Sequence, residues 1–352
     1  MPTRDRHEFA TRAVESALGQ TVQNIEVITV DDGSISPHVP AVDERCRLIR
    51  LSVPHGVCAA RTAGLRAATG EWITFLDDDD ELLPTMVEVS LHAAARSKLA
   101  FPVAILSAME VIDICGQRIE NRRPVSLRRG MHYLLEEDLS VDAQSANSMF
   151  VPTDVLRSIG GWDERLRSRE WSELLLRLNQ VCSLQSVGTI TYRQHAHDGR
   201  GLRDDTLQAA RAMEITFRTH KHIFAKHRQA AARYLSKMGL NYLRAGAWGR
   251  AVRAASRAVL TDPTEPRVLR WWVASLVGPA GLRPYRRLRQ KPNSRRIRDR
   301  CASMCREYVG FVPRRGRTRL VLPGKRRPPE PAGSGTRLHP PVQDEERAGD
   351  EQ

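Results

Sequence analysis

Two short apolar runs that each end in an acidic turn restrict the fold of this chain more than any other feature. "EVITV" (Glu26–Val30) runs into "DDGS", and "EWITFL" (Glu71–Leu76) runs into four consecutive aspartates, Asp77 to Asp80. Both runs are rich in β-branched residues and bounded by turn formers, the pattern of a buried strand. Helical periods lie around them. Ala10, Ala13, Val14, Ala17 and Leu18 mark one helical face after Glu8, and "AARTAGLRAAT" (Ala59–Thr69) reads as a second helix stopped at Gly70. "RLIRL" (Arg47–Leu51) is a further strand, and Pro84 can open a helix because its missing N–H costs nothing there. This alternation predicts an α/β fold, Rossmann-like, with a mostly parallel sheet and helices on both faces.

Like charges side by side repel, so four adjacent aspartates need either full solvation or a cation. In an open parallel sheet, ligands bind in the crevice at the carboxyl ends of the strands. Asp31-Asp32 and Asp77 to Asp80 both fall at such ends. Hard carboxylate oxygens there suit Mg²⁺ or Mn²⁺, which take one or two carboxylates together with phosphate oxygens. An isolated "DDGS" reads more readily as a solvated turn; two acidic turns on matched strand ends favour a shared site.

Further along, "PVAILSAMEVI" and "SMFVP" supply strands, and "REWSELLLRLNQ" (Arg169–Gln180) is an amphipathic helix. From residue 205 to about 290 the chain turns Ala-rich and helical. Residues 232–266 read as one hairpin of the tetratricopeptide type, with small residues where its helices cross. Such repeats are stable only when stacked, so the region is expected to be a helical appendage docked on the main domain. Between Gly281 and Glu330 there are 17 Lys/Arg against three acids, a surplus equal to the whole net charge of +14. The Pro/Arg-rich stretch 291–352 is expected to be disordered and to attract anionic membrane. It lacks the interleaved aromatics of a nucleic-acid platform. Six scattered cysteines without CxxC spacing point to reduced thiols. No bilayer-length apolar stretch or secretory signal pattern is present, so the expected place is cytoplasmic, peripheral at the inner membrane face.

"PTRDRHEFATRAVESALGQT", "EVITVDDGS", "GVCAARTAGLRAATGEWITFLDDDDELLP" and "GGWDERL", in this order over roughly residues 1–200, resemble family 2 glycosyltransferases. The resemblance implies a GT-A domain over 1–204, before the helical region and the tail. It implies inverting transfer of a sugar from a nucleotide-diphosphate sugar to a hydroxyl of a glycan, lipid-linked or protein acceptor. By resemblance, Pro2 and Thr3 line the base, and Asp31 or Asp32 contacts base or ribose. Arg61 stands near the nucleotide. Asp77, Asp78 and Asp79 match the DxD element, with Asp77 and Asp79 holding Mn²⁺ or Mg²⁺ and Asp77 and Asp78 facing the nucleotide sugar. Asp80 is expected to cap the following turn.

Two departures qualify the match. Family members carry Glu-Asp-Trp at the start of the helix after "GGWDERL", the aspartate acting as base; here Trp171 occupies that place. A one-residue shift brings Glu170 there, and Glu173, one turn on, is the other candidate, or else a surface charge paired with Arg177 at i+4. His195 or His197 matches a histidine near the diphosphate, or serves as a loop residue without a role. The family's opening hydrophobic strand is absent before Pro2. Three or four buried Val/Ile at roughly 1.5–3 kcal/mol each amount to about 5–10 kcal/mol, about the stability of a domain. The expectation is therefore a working protein that extends upstream. The alternative is a degenerate relative that binds nucleotide sugar or glycan without turnover.

Overall fold

The computed structural model describes residues 1–36, 43–131, 147–196 and 205–278. By internal contacts the chain divides into Met1–Ser294 and Arg295–Gln352. The whole basic stretch 291–352, and His197, lie outside the described residues.

Strands β1 (Pro2–Thr3), β2 (Val27–Asp31) and β3 (Cys46–Arg50) form a parallel sheet, with Pro2 opposite Val30 and Val30 opposite Ile49. Helix α1 (His7–Leu18) makes the crossover from β1 to β2. Its buried residues Ala10, Ala13, Val14 and Ala17 recur at i, i+3, i+4 and i+7, the stripe that a helix needs to lie on a sheet. Helix α2 (Val57–Ala67) leads from β3 to β4 (Trp72–Thr74), which ends just before the aspartates.

The second sheet contains β4, β5 (Glu81–Leu82), β6 (Val103–Ile112), β7 (Arg118–Arg122), β8 (Met149–Pro152) and β9 (Ser183–His195). Its order is β4-β8-β6-β9-β5, with β7 on β6. Only β6 and β9 run parallel; the other pairs are antiparallel. A parallel pair needs a crossover helix, whereas a tight turn such as that from β6 to β7 returns the chain antiparallel. The parallel arrangement thus describes the first sheet, and the second is mixed. All ten residues of β6 are buried, as expected of a central strand covered on both faces. Helix α3 (Met86–Arg96) packs over β6 and β9.

Helices α4 (Thr153–Ser158) and α5 (Glu170–Val181) connect β8 to β9. Helix α5 serves two cores. Leu174, Leu175 and Leu178 pack with Trp162, Leu166 and Leu184, while Leu176 packs with Ala210, Met213 and Leu235. That second core belongs to the helical layer: α6 (Thr206–Thr219), α7 (Lys221–Lys226), α8 (Arg228–Arg244), α9 (Trp248–Thr261) and α10 (Pro266–Leu276). Asp205 caps α6 by accepting from the backbone N–H groups of Leu207 and Gln208. Where α8 crosses α9, a Cβ on Gly239 would stand 3.1 Å from the Ala251 carbonyl oxygen, so the crossing depends on a missing side chain. Among the described residues no helix is long and apolar enough to cross a membrane.

Candidate active site

The four aspartates that follow β4 diverge into separate environments. Asp77 accepts from Arg61 Nη2 at 2.5 Å and from Asn147 Nδ2 at 3.1 Å. Asp78 accepts from the Thr3 hydroxyl at 2.9 Å and from Arg6 Nη1 at 2.7 Å. The same Arg6 nitrogen reaches Asp79 at 2.8 Å, and Arg12 donates to the Asp79 carbonyl. Asp80 does not cap the following turn. Its two oxygens accept from the Tyr192 hydroxyl at 2.8 Å and from the His195 backbone N–H at 3.0 Å, both on β9.

Burial raises the Asp78 carboxyl above its ordinary value, with Arg6 pulling the other way. The effect on Asp80 is larger: burial first, then the charges of Asp77 and Asp79, push it up to about 8, against the bonds from Tyr192 and His195. The sign for stability follows. The folded chain retains a proton that the unfolded chain releases near 3.8. The contribution is therefore intact below that value and is lost as pH rises towards 8. Asp80→Asn, which cannot ionise, is expected to flatten this limb in urea denaturation between pH 5 and 8. An unchanged slope would remove Asp80 as its source.

The first acidic turn meets the second through Thr3. Thr3 pairs with Asp31 in the β1–β2 ladder, its carbonyl accepts from the Asp32 N–H at 2.9 Å, and its hydroxyl holds Asp78. Pro2 is buried beside it. Asp31 is fully buried and accepts from the Ser34 N–H, while Asp32 clamps the backbone N–H groups of His55 and Gly56 at 2.7 and 2.8 Å. These bonds pin the loops at the carboxyl ends of β2 and β3, leaving both acidic turns on one edge.

Arg61 joins this edge to α5. Its guanidinium, 3% exposed, contacts Asp77 on one side and Glu170 Oε1 on the other at 3.1 Å. It also lies over the rings of Trp171 at 4.8 Å and Trp162 at 5.8 Å. Burial alone would lower its pKa; the two carboxylates outweigh it and hold the charge firmly in place. Glu170 Oε2 accepts no hydrogen bond among the described residues. Glu173, on the same helix, is engaged elsewhere. It is 1% exposed, takes two bonds of 2.7 Å from Arg177 and one of 2.8 Å from His220 Nε2. Arg177 in turn donates to the carbonyls of Ile159 and Gly161, in the "GGW" loop. The i+4 pairing with Arg177 is therefore present, but as a buried tie and not a surface pair. His195 pairs with Glu81 at 2.9 Å.

Sequence reasoning did not find Arg6, Asn147, Tyr192 or His220. Arg6 sits in the quoted "PTRDR" segment and could have been read as a counter-charge to the aspartates. Tyr192 and His220 reach the site only through tertiary packing.

Among the described residues no three His, Cys, Asp or Glu side chains converge as a metal cage. A Mg²⁺ or Mn²⁺ bound with phosphate oxygens needs only one or two protein carboxylates. Asp77 and Asp79 are the more open of the aspartates, at 27% and 18% side-chain exposure against 9% for Asp78. Their charges add to the burial that lifts Asp80, so a cation here would relieve an existing repulsion. The donor set fits.

This α/β domain, with acidic strand ends gathered on one edge, has a GT-A-like fold. The fold resembles that of S. aureus TarS 1-349, crystallised with UDP-GlcNAc, at a TM-score of 0.54 and 15% identity over 80% of this chain and 90% of that one. Residues 1–132 match the family model described as Glycosyl transferase family 2. The succinoglycan biosynthesis protein ExoO of Rhizobium meliloti is 34% identical over 122 residues, 34% of each chain. The UDP-Glc:alpha-D-GlcNAc-diphosphoundecaprenol beta-1,3-glucosyltransferase WfaP of Escherichia coli is 36% identical over 92 residues, 25% of this chain and 37% of that one. The matches thus span about a third of the length of these curated relatives.

Proposed function

We propose that this protein transfers a sugar from a nucleotide-diphosphate sugar to an acceptor hydroxyl, with inversion at the transferred carbon. The observation that carries the reading is the Arg61 bridge, which ties the aspartates at the β4 end to the first residue of α5. The site then has two sides. Pro2, Thr3, Asp31 and Asp32 form the nucleotide side, and Asp77 and Asp78 bound the diphosphate and sugar. A Mn²⁺ or Mg²⁺ held by Asp77 and Asp79 would offset negative charge on the leaving diphosphate. Glu170 stands opposite, with Oε2 available to take the proton of the acceptor hydroxyl, as single displacement requires. The carboxylate of Glu173 is committed to Arg177 and His220, which favours Glu170 of the two. A relative that binds nucleotide sugar on its GT-A fold and a relative that transfers glucose from UDP-Glc support the choice of donor class.

A second reading, binding without turnover, has one observation in its favour. Trp171 stands where the family carries its aspartate, and Glu170 spends Oε1 on Arg61. A panel of nucleotide sugars with Mn²⁺, followed by mass-spectrometric detection of the released nucleotide, separates the two. Turnover with one donor, reduced at least tenfold by Asp79→Ala, is the expected result. Donor binding with no release of nucleotide from any member of the panel would establish the second reading instead.

A further inference from the structure

The last described helix, α10, carries an apolar stripe on its outer face. Leu269, Val273 and Leu276, with Val277 directly after the helix, are 47%, 50%, 47% and 60% exposed. Their spacing of i, i+4, i+7 and i+8 gathers them on one side. The opposite side is already used: Val268 is buried in the core that α10 shares with α8 and α9, and Trp271 packs against it. Trp248, at the start of α9, extends the stripe. Its Nε1 donates to the Ser275 carbonyl at 2.7 Å, which holds a half-exposed indole beside the last turn of α10. The end helix of a stacked array turns a polar face to water when water is all that it meets. A contiguous apolar stripe there marks a contact surface instead.

The surroundings are cationic. Arg250, Arg253 and Arg257 on α9 and Arg267 and Arg270 on α10 are all exposed, and none forms an ion pair among the described residues. Arg270 borders the stripe, three residues before Val273 and seven before Val277. The two acids of residues 245–278, Asp262 and Glu265, lie in the α9–α10 turn and are engaged there: Asp262 accepts from Thr264, and Glu265 caps α10. From Gly281 the sequence continues with its 17 Lys/Arg against three acids. These charges select the occupant. A second copy docked stripe to stripe would bring the same arginines together, and a stable protein interface takes about 20–30 residues a side. An anionic lipid surface suits both features: apolar side chains and an indole enter the headgroup boundary while arginines stay among the phosphates.

We propose that the outer face of α10, together with Trp248, docks on an anionic lipid surface. Apolar contact supplies one part of the hold and the arginines the other, the two signals that stable peripheral anchoring requires. The surface lies in the helical layer and does not depend on the transferase reading. It differs from attraction by a basic stretch alone, because the stripe keeps its hold when salt screens the charges.

The test is co-sedimentation of the full chain with vesicles of mixed phosphatidylglycerol and phosphatidylcholine. It is run at about 0.1 M and about 1 M salt, between which the Debye length falls from roughly 10 Å to 3 Å. Val273→Asp with Leu276→Asp is expected to lower the affinity about tenfold at both salt concentrations. Arg253→Gln with Arg270→Gln should weaken binding at the lower salt only. Both apolar positions are half-exposed, so the urea midpoint should stay near wild type; Leu269→Asp, further along the stripe, repeats the test with a single change. Ile114→Asp with Ile119→Asp, at similarly exposed positions of the β6–β7 hairpin, is the control and should bind as wild type does. Four results overturn the proposal: no wild-type binding, equal binding to pure phosphatidylcholine, equal binding in wild type and the stripe variants, or an equal loss in the control. A wild-type dimer that the stripe variants dissolve without losing vesicle binding would also overturn it and give the face to a second copy.

Discussion

Replacing Glu170 by glutamine is expected to lower sugar transfer about 10²–10⁴-fold, the usual contribution of a general base, with the fold intact. The amide retains an oxygen that can accept from Arg61 Nη1, as Glu170 Oε1 does at 3.1 Å. Arg61 stays charge-balanced by Asp77, so no buried cation is left unpaired. The loss should appear in kcat at saturating donor, while nucleotide binding and the urea midpoint remain near wild type. Transfer at the wild-type rate in Glu170→Gln would remove this residue as the base. Pairing the measurement with Glu173→Gln sharpens it, because that side chain meets Arg177 and His220 and not the aspartate edge.

Glu173 is expected to produce the largest change in stability. Its carboxylate is buried against Arg177 and His220 and links α5 to the "GGW" loop and to the α6–α7 junction. Glu173→Ala leaves both partners facing a void, a change that costs about 3–5 kcal/mol when a buried pair loses one member. Glutamine in place of alanine should lose less, since its oxygen still accepts one of the bonds. Burial alone would raise the Glu173 pKa, but His220 and Arg177 outweigh it and bring it below the ordinary carboxylate value. Its stabilisation is therefore complete above the unfolded-state value and is lost as pH falls through the lower folded value. Denaturant midpoints of wild type and Glu173→Ala should lie far apart near pH 7 and converge in acid. Equal midpoints near neutrality would show that the tie is not load-carrying and would return Glu173 to candidacy as the base.

Much of the acidic edge was legible because it is written locally. "EVITV" and "EWITFL" carry their turn signals with them, and β2 and β4 end at the acidic turns as the runs suggested. The stripe Ala10, Ala13, Val14, Ala17 is likewise a matter of helical period. The mixed order of the second sheet was less accessible, because β8 and β9 approach β6 from about 45 and 80 residues further along, as the pairings Ile105–Phe150 and Val103–Ser183 show. Asp80 was misread for the same reason: a capping role is local, and its actual partners lie on β9.

What the sequence by itself determined is the class of fold, its acidic strand ends and the two glutamates at the start of α5. Spacings of two and of three to four residues decide which side chains share a face, and nothing distant is needed to read them. The tertiary structure alone distinguished Glu170 from Glu173. Both occupy the first turn of one helix, so no local pattern separates them. Arg61 reaches Glu170 across 109 positions of sequence and His220 reaches Glu173 across 47. A buried carboxylate takes its role from the charge packed against it, and that charge arrives only when the chain has folded.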